Sequence, residues 1–334
     1  MPEAYHEATC RGREEAFLLF DVIIIGAGPA GLSAALCLGR CRRHVLICDS
    51  GRPRNASSHG IHGLLTHEGL APAEFLRLGR EQLGLYPTIE YRSMAIIDAT
   101  RETNSFTVTL ADHQRARSRA LLLATGVVDE LPPIAGIEEF YGTSVFNCPF
   151  CDGWEVRDQP LAVYGSGKQG WDLALQLLPW SRDLVLCTDG PGGLNARERG
   201  ILLSRNIVLR EERLAGLQGA DGQLEQILFA TGELLARRAL FFRTKTYQQI
   251  DLAANLGYDA SSEEDPKTIV PGLYLAGDVF GSHWVAGAVA DGAEVAMTIH
   301  ADLFREELGK GGLYSPSSTT GAPSPSVQVS PPGH

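Results

Sequence analysis

A glycine-rich turn that follows a short apolar stretch and opens a helix occurs twice in this chain, 139 residues apart. The first copy is Gly26–Gly31 after Asp21–Ile25, and the second is Gly165–Gly170 after Leu161–Tyr164. Glycines at these spacings allow a tight turn, a close approach of backbone to phosphate, and close packing of helix on strand. The repeat predicts an α/β chain with two Rossmann-like, three-layer dinucleotide-binding domains.

The first copy has the residues that dinucleotide binding requires. Gly26 would make the turn, Gly28 would leave room for a pyrophosphate, and Gly31 would pack helix against strand. Asp49 ends the next predicted strand, where an acid can bind ribose hydroxyls. The helix N-terminus would face the phosphates. The residues predicted to bind cofactor here are Gly26, Gly28, Pro29, Ala30, Gly31 and Asp49.

A Cys-Pro-Phe-Cys segment, from Cys148 to Cys151, lies between the two copies, and Asp152 follows it directly. Cysteines at this spacing close a small disulfide ring that is readily reduced. An acid beside them can transfer the proton that accompanies thiolate attack. A zinc site needs four ligands, and the sequence has no second Cys-x-x-Cys or Cys/His pair. We therefore predict a redox disulfide and no metal.

Composition narrows the class of protein. The 334 residues suffice for two domains. A net charge of −11 argues against nucleic acid or an anionic membrane surface as partner. No apolar run is long enough to span a bilayer, and the first 20 residues lack a signal-peptide core. The seven cysteines are scattered and odd in number, which favours a reducing cytoplasm. Four of them, Cys37, Cys41, Cys48 and Cys187, are interpreted as small core residues.

A polar loop follows the first copy. Arg54 is a candidate to neutralise a pyrophosphate, and His59, His62 and His67 come next. His62 is the histidine that we expect nearest to the thiols or the cofactor, although a solvated loop would explain all three. The tail from residue 311 onward is rich in Ser, Pro, Thr and Gly, which predicts disorder.

With these motifs in order, the chain resembles the low-molecular-weight thioredoxin reductase family of FAD flavoproteins, over about residues 21–308. The motifs that carry the resemblance are Gly26–Gly31, Ala124-Thr125-Gly126, Cys148–Gly153, Gly165–Gly170 and Ala276-Gly277-Asp278. The resemblance implies an FAD-binding domain built from both ends of the chain, residues 19–127 and 247–310. The dithiol domain, residues 128–246, is inserted into it. Residues 1–18 and 311–334 would be tails.

The resemblance also implies roles for single residues. Cys151 would be the sulfur nearest the flavin, Cys148 would attack a partner disulfide, and Asp152 would be the acid–base group. The long helix predicted from residue 284 to 307 would present its positive N-terminal end to the flavin. Further implied FAD contacts are Arg54, Asn55, His62, Ala124, Thr125, Gly126, Gly277, Asp278, Trp284 and Val285. Family members are homodimers, and a thioredoxin-like protein is the usual partner.

The middle domain departs from the family pattern. NADPH-using reductases typically carry His-Arg-Arg after its second strand, but this chain has Cys187-Thr188-Asp189-Gly190. A carboxylate there repels a 2′-phosphate and suits an NAD ribose. Trp171 would crowd the pyrophosphate. The loop of Gly165, Gly167 and Gly170 is therefore either a nucleotide site or only a helix–strand contact, and the use of NADPH or NADH stays open.

Three functional hypotheses follow. The first is an FAD-dependent disulfide reductase that reduces a thioredoxin-like protein through Cys148–Cys151, with a pyridine nucleotide or a ferredoxin-type protein as electron donor. The second is an oxygen-dependent dithiol oxidase that forms a disulfide in a small molecule or a protein. The Cys-Pro-Phe-Cys-Asp-Gly segment and the Arg54-Asn55 loop resemble a branch of the family that includes dithiol oxidases and flavoproteins that do not use pyridine nucleotides. The third is a non-enzymatic, redox-sensing flavoprotein. The first two use the same residues, so the motifs do not distinguish them.

Overall fold

The computed structural model describes residues 19–248, 252–258, 270–281 and 284–310. Its helices are α1 (Pro29–Arg40), α2 (Pro72–Leu83), α3 (Ile137–Phe140), α4 (Pro149–Asp152), α5 (Gly167–Gln176), α6 (Ala196–Ser204), α7 (Leu252–Asn255) and α8 (Val285–Lys310), with a short 3-10 helix at Gly277–Phe280. Its strands are β1 (Leu19–Ile25), β2 (Val45–Cys48), β3 (Ile89–Arg92), β4 (Ile96–Arg101), β5 (Phe106–Leu110), β6 (Arg115–Leu123), β7 (Val128–Asp129), β8 (Val145–Phe146), β9 (Leu161–Tyr164), β10 (Leu184–Cys187), β11 (Val208–Arg210), β12 (Leu214–Ala220), β13 (Gln223–Phe229), β14 (Leu234–Ala236), β15 (Ala239–Phe242), β16 (Thr246–Tyr247) and β17 (Leu273–Leu275).

The first domain is organised around a seven-stranded sheet in the order β3-β2-β1-β6-β5-β4, with β17 beside β6. Strand β1 runs parallel to both of its neighbours, so that Ile24 pairs with Ile47 and with Leu122. Helices α1 and α8 pack together on one face, where Leu38 and Ile299 are fully buried. The central strands are continuous apolar runs because both faces of the sheet are covered.

The second domain has a five-stranded, entirely parallel sheet in the order β11-β10-β9-β15-β8. Helix α5 follows β9, as α1 follows β1. An antiparallel sheet of β12, β13 and β14 packs beside it. The interior is apolar, with Leu186 and Phe241 fully buried. The predicted fold class, with two parallel-sheet dinucleotide domains, is confirmed, and the exact domain boundaries stay predictions.

Two crossings of the chain join the domains. They pair as a short antiparallel ribbon, in which β7 and β16 align Asp129 with Thr246 and Val128 with Tyr247. The Glu130 N–H also donates to the Lys245 carbonyl at 2.8 Å. The second sheet therefore enters the chain between β6 and β17 of the first, and the ribbon is a narrow covalent connection.

The secondary structure differs from the prediction at helix ends. Helix α5 begins at Gly167 rather than near Trp171, because Ser166 is already extended and the chain enters the helix directly after it. The last helix begins at Val285 and ends at Lys310, whereas the prediction was 284 to 307. The predicted tails, 1–18 and 311–334, lie outside the described residues. Among the residues described, no helix has the length and apolarity required to cross a membrane.

Candidate active site

A cavity of about 510 Å³ opens between the two domains. The first glycine-rich loop, the polar loop after β2, the 3-10 helix and the start of α8 line it on one side, and the Cys-Pro-Phe-Cys segment lines it on the other. The three predicted catalytic residues and every predicted cofactor residue except Gly31 line this cavity. The fold therefore brings together motifs that are up to about 250 residues apart in sequence.

The first loop has room for a dinucleotide. Gly26 has a φ of +103°, and a Cβ there would lie 2.2 Å from the Ala124 carbonyl oxygen. A Cβ on Gly31 would lie 1.9 Å from the Gly26 oxygen, so Gly31 packs helix on strand and lies behind the cavity. At Gly28, no non-neighbouring heavy atom of the described chain lies within 4 Å of such a Cβ. The space at Gly28 and the N-terminus of α1 fit the pyrophosphate of FAD.

The two cysteines of the segment form a disulfide, with 5.3 Å between their Cα atoms. Pro149 starts the single turn α4, where its fixed φ is compatible with the helix. Cys148 is the N-cap residue, and its Sγ accepts the Cys151 N–H at 3.2 Å. Both cysteines are half-buried, whereas Phe150 between them is exposed. Both cysteines of the disulfide line the cavity.

Asp152 is suited to proton transfer at this disulfide. Burial raises the pKa of its carboxyl to about 7, with a smaller contribution from the Glu155 carboxylate, and His62 opposes the shift. A carboxyl group with this pKa exists in both protonation states near neutral pH. General acid–base catalysis is most efficient when the pKa is close to the working pH.

His62 is the only one of the three predicted histidines that lines the cavity. Its Nδ1 lies 2.8 Å from Glu68 Oε1 and 3.6 Å from Glu155 Oε1. His59 and His67 are exposed, which agrees with the alternative that these two histidines belong to a solvated loop. His62 therefore lies beside two carboxylates, one of which, Glu155, is three residues after Asp152.

Arg54, predicted to neutralise a pyrophosphate, contacts two carboxylates of the chain itself. Its guanidinium makes two bonds to Asp129, at 2.6 and 2.9 Å, and one to Asp278 at 2.7 Å. The Tyr141 hydroxyl donates to the same Asp129 carboxylate at 2.7 Å. Sequence reasoning missed Asp129 and Tyr141. The available sequence signal was an acid, Asp129, three residues after Ala124-Thr125-Gly126. The neighbouring residues in the sequence do not indicate what its carboxylate contacts.

The second glycine-rich loop lies outside the cavity, and the chain itself occupies it. The Gly167 N–H, at the start of α5, donates to the Gly192 carbonyl at 2.8 Å. The Gly192 N–H donates in turn to Glu211 Oε1 at 3.0 Å, and Glu211 makes a two-bond pair with Arg199. We call residues 188–195 the plug segment. The Gly192 carbonyl thus accepts from an N–H group at the start of α5, the kind of helix end that binds phosphate groups in dinucleotide-binding domains.

Other residues of this region also have internal partners. Asp189 accepts the Leu214 N–H at 2.7 Å and lies 3.5 Å from the Tyr164 hydroxyl. The Trp171 indole donates to the Glu198 carbonyl at 3.2 Å and packs on the second core, so it does not cover the turn as expected. A Cβ on Gly170 would lie 2.3 Å from the Gly165 oxygen. Helix–strand packing thus explains Gly165 and Gly170 without a ligand.

Two of the remaining cysteines of the described chain, Cys48 and Cys187, are poor nucleophiles. Cys48 and Cys187 are fully buried, and burial raises the pKa of each thiol to about 12. Burial also raises the pKa of Cys37, with a contribution from Cys41. The structure places Cys48 and Cys187 in the core, as predicted, while Cys37 and Cys41 are half-buried on α1. The described residues hold no cluster of three or more metal-ligating side chains.

Comparison with known proteins agrees with this geometry. The family description "pyridine nucleotide-disulphide oxidoreductase" matches residues 20–300. Thioredoxin reductase tcpT of Claviceps purpurea is 30% identical over an alignment of 300 residues that covers 81% of this chain and 93% of that protein. The structure of HlmI superposes with a TM-score of 0.83 at 33% identity, covering 88% of this chain and 95% of that one. An oxidoreductase from Agrobacterium tumefaciens gives a TM-score of 0.79 at 32% identity, covering 86% and 99%.

Proposed function

This chain belongs to the pyridine nucleotide-disulphide oxidoreductase family and is an FAD-dependent oxidoreductase, and on that premise we propose that it oxidises dithiols at Cys148–Cys151. In this proposal the substrate is a small dithiol or a thioredoxin-like protein, and oxygen is the terminal acceptor. Residence in the cytoplasm, predicted from the cysteine usage, and assembly as a homodimer, implied by the family resemblance, remain predictions.

One observation carries the direction of the reaction. The Gly167 N–H is bonded to the Gly192 carbonyl, so the amide that would bind a nucleotide pyrophosphate is already in use. Binding NADPH would require breaking that bond and moving a segment that Glu211 and Arg199 anchor. We therefore infer that electrons enter the protein from a dithiol substrate, through the half-buried Cys148–Cys151 disulfide that lines the cavity.

The thiol chemistry balances on the residues present. One substrate thiolate attacks Cys148 Sγ, which breaks the Cys148–Cys151 bond and releases the Cys151 thiolate. The second substrate thiol attacks the mixed disulfide, and the substrate leaves as a disulfide while Cys148 becomes free. Asp152 as a carboxylate accepts the proton of a substrate thiol as that thiol becomes the attacking thiolate. FAD, when bound, would supply the acceptor for the electron pair of the Cys148–Cys151 dithiol, and oxygen would be the terminal acceptor, reduced to hydrogen peroxide.

Several residues would hold that cofactor. Gly26 and Gly28 would shape the phosphate cradle, Asp49 would bind the ribose, and Asp278 would bind the ribityl chain. Asp49 already accepts the Ala27 N–H at 3.2 Å, so its carboxylate is fixed against the loop. The start of α8, at Trp284 and Val285, lies on the same cavity and would place positive dipole charge beside the flavin.

The opposite direction is the second candidate, because relatives such as tcpT are named thioredoxin reductases. In that case the reduced Cys148 attacks a partner's disulfide, and Asp152 donates a proton to the leaving thiolate. The electrons would have to come from a donor other than a nucleotide on the second domain, such as a ferredoxin-type protein. Exposed Phe150 and Trp154 beside the disulfide offer apolar surface to such a protein partner.

Anaerobic titration of the FAD-loaded protein decides between these directions. We expect a small dithiol to bleach the flavin band stoichiometrically, NADPH and NADH to bleach it slowly or not at all, and oxygen to restore it with one peroxide per dithiol. Rapid bleaching by NADPH at micromolar concentration would refute the proposal. Bleaching by a reduced ferredoxin-type protein, coupled to reduction of thioredoxin, would establish the second candidate instead.

A further inference from the structure

Carboxylates from both domains contact His62, a side chain on the wall of the cavity. The His62 ring lines the cavity together with Cys148 and Cys151. Its Nδ1 lies 2.8 Å from Glu68 Oε1 in its own loop and 3.6 Å from Glu155 Oε1 in the second domain. Glu155 is four residues after Cys151. Two carboxylates therefore contact a cavity-lining histidine where the polar loop and the disulfide segment face each other.

The position of Glu68 is fixed by its own loop. That loop closes on itself through the Ile61 N–H, which donates to the Leu70 carbonyl at 2.8 Å. The second oxygen of Glu68 accepts the Gly63 N–H, also at 2.8 Å. The bond with His62, and after it the bond from Gly63, lowers the pKa of the Glu68 carboxyl, which is therefore ionised at neutral pH. Glu68 thus holds a negative charge beside His62.

The negative charge of Glu155 acts on the residue that directly follows the disulfide. Burial, and to a smaller extent the Glu155 carboxylate, raises the pKa of Asp152 to about 7, against the opposite effect of His62. Even with His62 protonated, the group of Glu68, His62 and Glu155 keeps a net negative charge, and Asp152 adds to it when ionised. An anion that approaches the disulfide from this side is repelled.

The segments around the disulfide lack cations that could offset this charge. The chain has no Lys or Arg at residues 55–76, which include the polar loop, or at residues 120–156, which include the disulfide segment. Arg157 is the first cation after that segment, and its guanidinium lies over the Trp154 ring, 4.1 Å from the ring centroid. Arg157 also donates to the Trp154 carbonyl at 2.7 Å, so its nearest partner is this neighbouring residue.

The cavity itself supplies little positive charge to the disulfide. Arg52 and Arg54 are the Lys or Arg side chains that line it among the described residues. Arg54 is bonded to both Asp129 and Asp278, so its single charge faces two carboxylates. Arg52 is three residues after Asp49, the predicted ribose ligand, which places it at the nucleotide end of the cavity. The pyrophosphate of bound FAD would add further negative charge.

We propose that Glu68 and Glu155 make the approach to the Cys148–Cys151 disulfide selective for small dithiols that carry no negative charge. The substrate class is then a neutral or cationic dithiol, and a dithiol with a carboxylate on its body is disfavoured. Such a substrate arrives with both thiols protonated, and Asp152 takes up the proton at the disulfide. The inference rests on the proposed function, because it names the substrate class of that reaction, but the selectivity can be measured without flavin turnover.

Three dithiols with the same reacting atoms test this selectivity. Dihydrolipoate, dihydrolipoamide and the aminoethyl amide of dihydrolipoate end in a carboxylate, a neutral amide and an ammonium group. Each is mixed anaerobically with the FAD-loaded protein, and the initial rate at which its cyclic disulfide forms is measured by chromatography after an acid quench. Each reaction gives two electrons and two protons to Cys148 and Cys151, and this readout counts them even when the electrons pass on to the flavin. Every rate is divided by that of the same dithiol with dipyridyl disulfide, an uncharged reference.

The charge of the dithiol should set the order of the normalised rates. At low ionic strength we expect the amide to react about three- to tenfold faster than the carboxylate, and the ammonium compound faster again, because both carboxylates lie within a Debye length of the bound dithiol. Salt at about 1 M, where the Debye length is about 3 Å, should bring the ratios close to one. Glu155→Gln should reduce the amide-to-carboxylate ratio by about half or more, and Glu68→Gln should also reduce it.

Glu225→Gln is the matched control. It removes the charge of an exposed glutamate of the second domain that does not line the cavity, so its ratio should equal that of the parent. A change in the pKa of Asp152 alone would alter all three rates equally and leave the ratios unchanged.

A ratio of one in the parent at low salt, or equal ratios in Glu155→Gln and Glu225→Gln, would overturn the selectivity. If the cyclic disulfides form with the expected order while the flavin is never bleached, the proposed oxidase function fails and the charge selectivity stands. Failure of all three dithiols to react would refute both.

Discussion

The two glycine-rich loops of this protein have the same spacing of glycines, but they differ in the hydrogen bonding of the helix N-terminus that follows. In both, the first and last glycines lie too close together for a side chain, with a Cβ on Gly31 or Gly170 falling 1.9 or 2.3 Å from a carbonyl oxygen. They differ at the helix N-terminus. A Cβ at either middle glycine, Gly28 or Gly167, would have no non-neighbouring heavy atom of the described chain within 4 Å, but the Gly167 N–H is bonded to the Gly192 carbonyl of the plug segment. Helix–strand packing by the first and last glycines is thus separable from the hydrogen bonding of the helix N-terminus, and packing alone can retain the motif.

The strongest test of this difference between the loops is to place an aspartate at the middle glycine of each. In Gly28→Asp the new charge meets the pyrophosphate of FAD, and since like charges in contact cost several kcal/mol, we expect roughly a hundredfold or greater loss of FAD affinity. Gly167→Asp, at a φ of +56° that aspartate tolerates, should keep its flavin. Flavin per chain after gel filtration measures both. Equal loss in the two variants would mean that the second loop also supports the cofactor.

The next largest effect should be on turnover, when the Asp152 carboxylate that transfers protons in the proposed reaction is removed. Asp152→Asn should lower dithiol-dependent turnover by roughly 10²–10⁴-fold, the usual range for one acid–base group. In the parent, dithiol oxidation needs the carboxylate form, so the rate should rise with pH through about 7, where the pKa of Asp152 lies. Asp152→Asn should lose this inflection.

Glu155→Gln is the control for that assignment. The Glu155 carboxylate helps to raise the pKa of Asp152, so its removal should move the inflection to lower pH and keep the maximal rate. A rate that instead falls as pH rises through 7 in the parent would show that the acid form is required, as expected for the reductase direction.

A smaller effect is expected in the second domain, where Asp189 bonds to the chain rather than to a ribose. Asp189→Ala leaves the Leu214 N–H without its partner and should lower the free energy of unfolding by about 1–3 kcal/mol. Flavin content and dithiol turnover should stay at parent values. Urea denaturation followed by circular dichroism gives the stability. An unchanged stability together with a raised KM for NADH would identify Asp189 as a nucleotide ligand after all.

The smallest expected effect concerns Trp171. Trp171→Phe removes the indole bond to the Glu198 carbonyl, which should lower the free energy of unfolding by about 0.5–1.5 kcal/mol. In our proposal the plug segment, and not this ring, keeps a nucleotide from the N-terminus of α5, so bleaching by NADPH should not become faster. Stopped-flow absorbance of the flavin band checks this. Faster bleaching in the variant would show that the Trp171 ring obstructs nucleotide binding, as the sequence analysis predicted.

Much of this arrangement was predictable from sequence because it depends on local patterns. The alternation of apolar strands and glycine-rich turns predicts both parallel sheets, and the Cys-Pro-Phe-Cys-Asp segment predicts the disulfide between Cys148 and Cys151 that the structure contains. The partners of Arg54 were not predictable, since Asp129 and Asp278 are 75 and 224 residues away from it. The bond between the plug segment and the Gly167 N–H was not predictable either, because the Gly-Pro-Gly-Gly run does not indicate which N–H group will donate to its carbonyls. Helix starts were misjudged where glycine enters a helix directly.

The deep burial of Cys48 and Cys187 has a consequence for fidelity. An enzyme that passes disulfides through its active site is always exposed to scrambling, in which a bystander thiol captures the exchanging sulfur. A thiol with a pKa of about 12 is ionised in only about one molecule in 10⁵ at pH 7, and exchange proceeds through the thiolate. These two cysteines are therefore kinetically silent, and the folded chain can turn over disulfides without drawing them into wrong pairings.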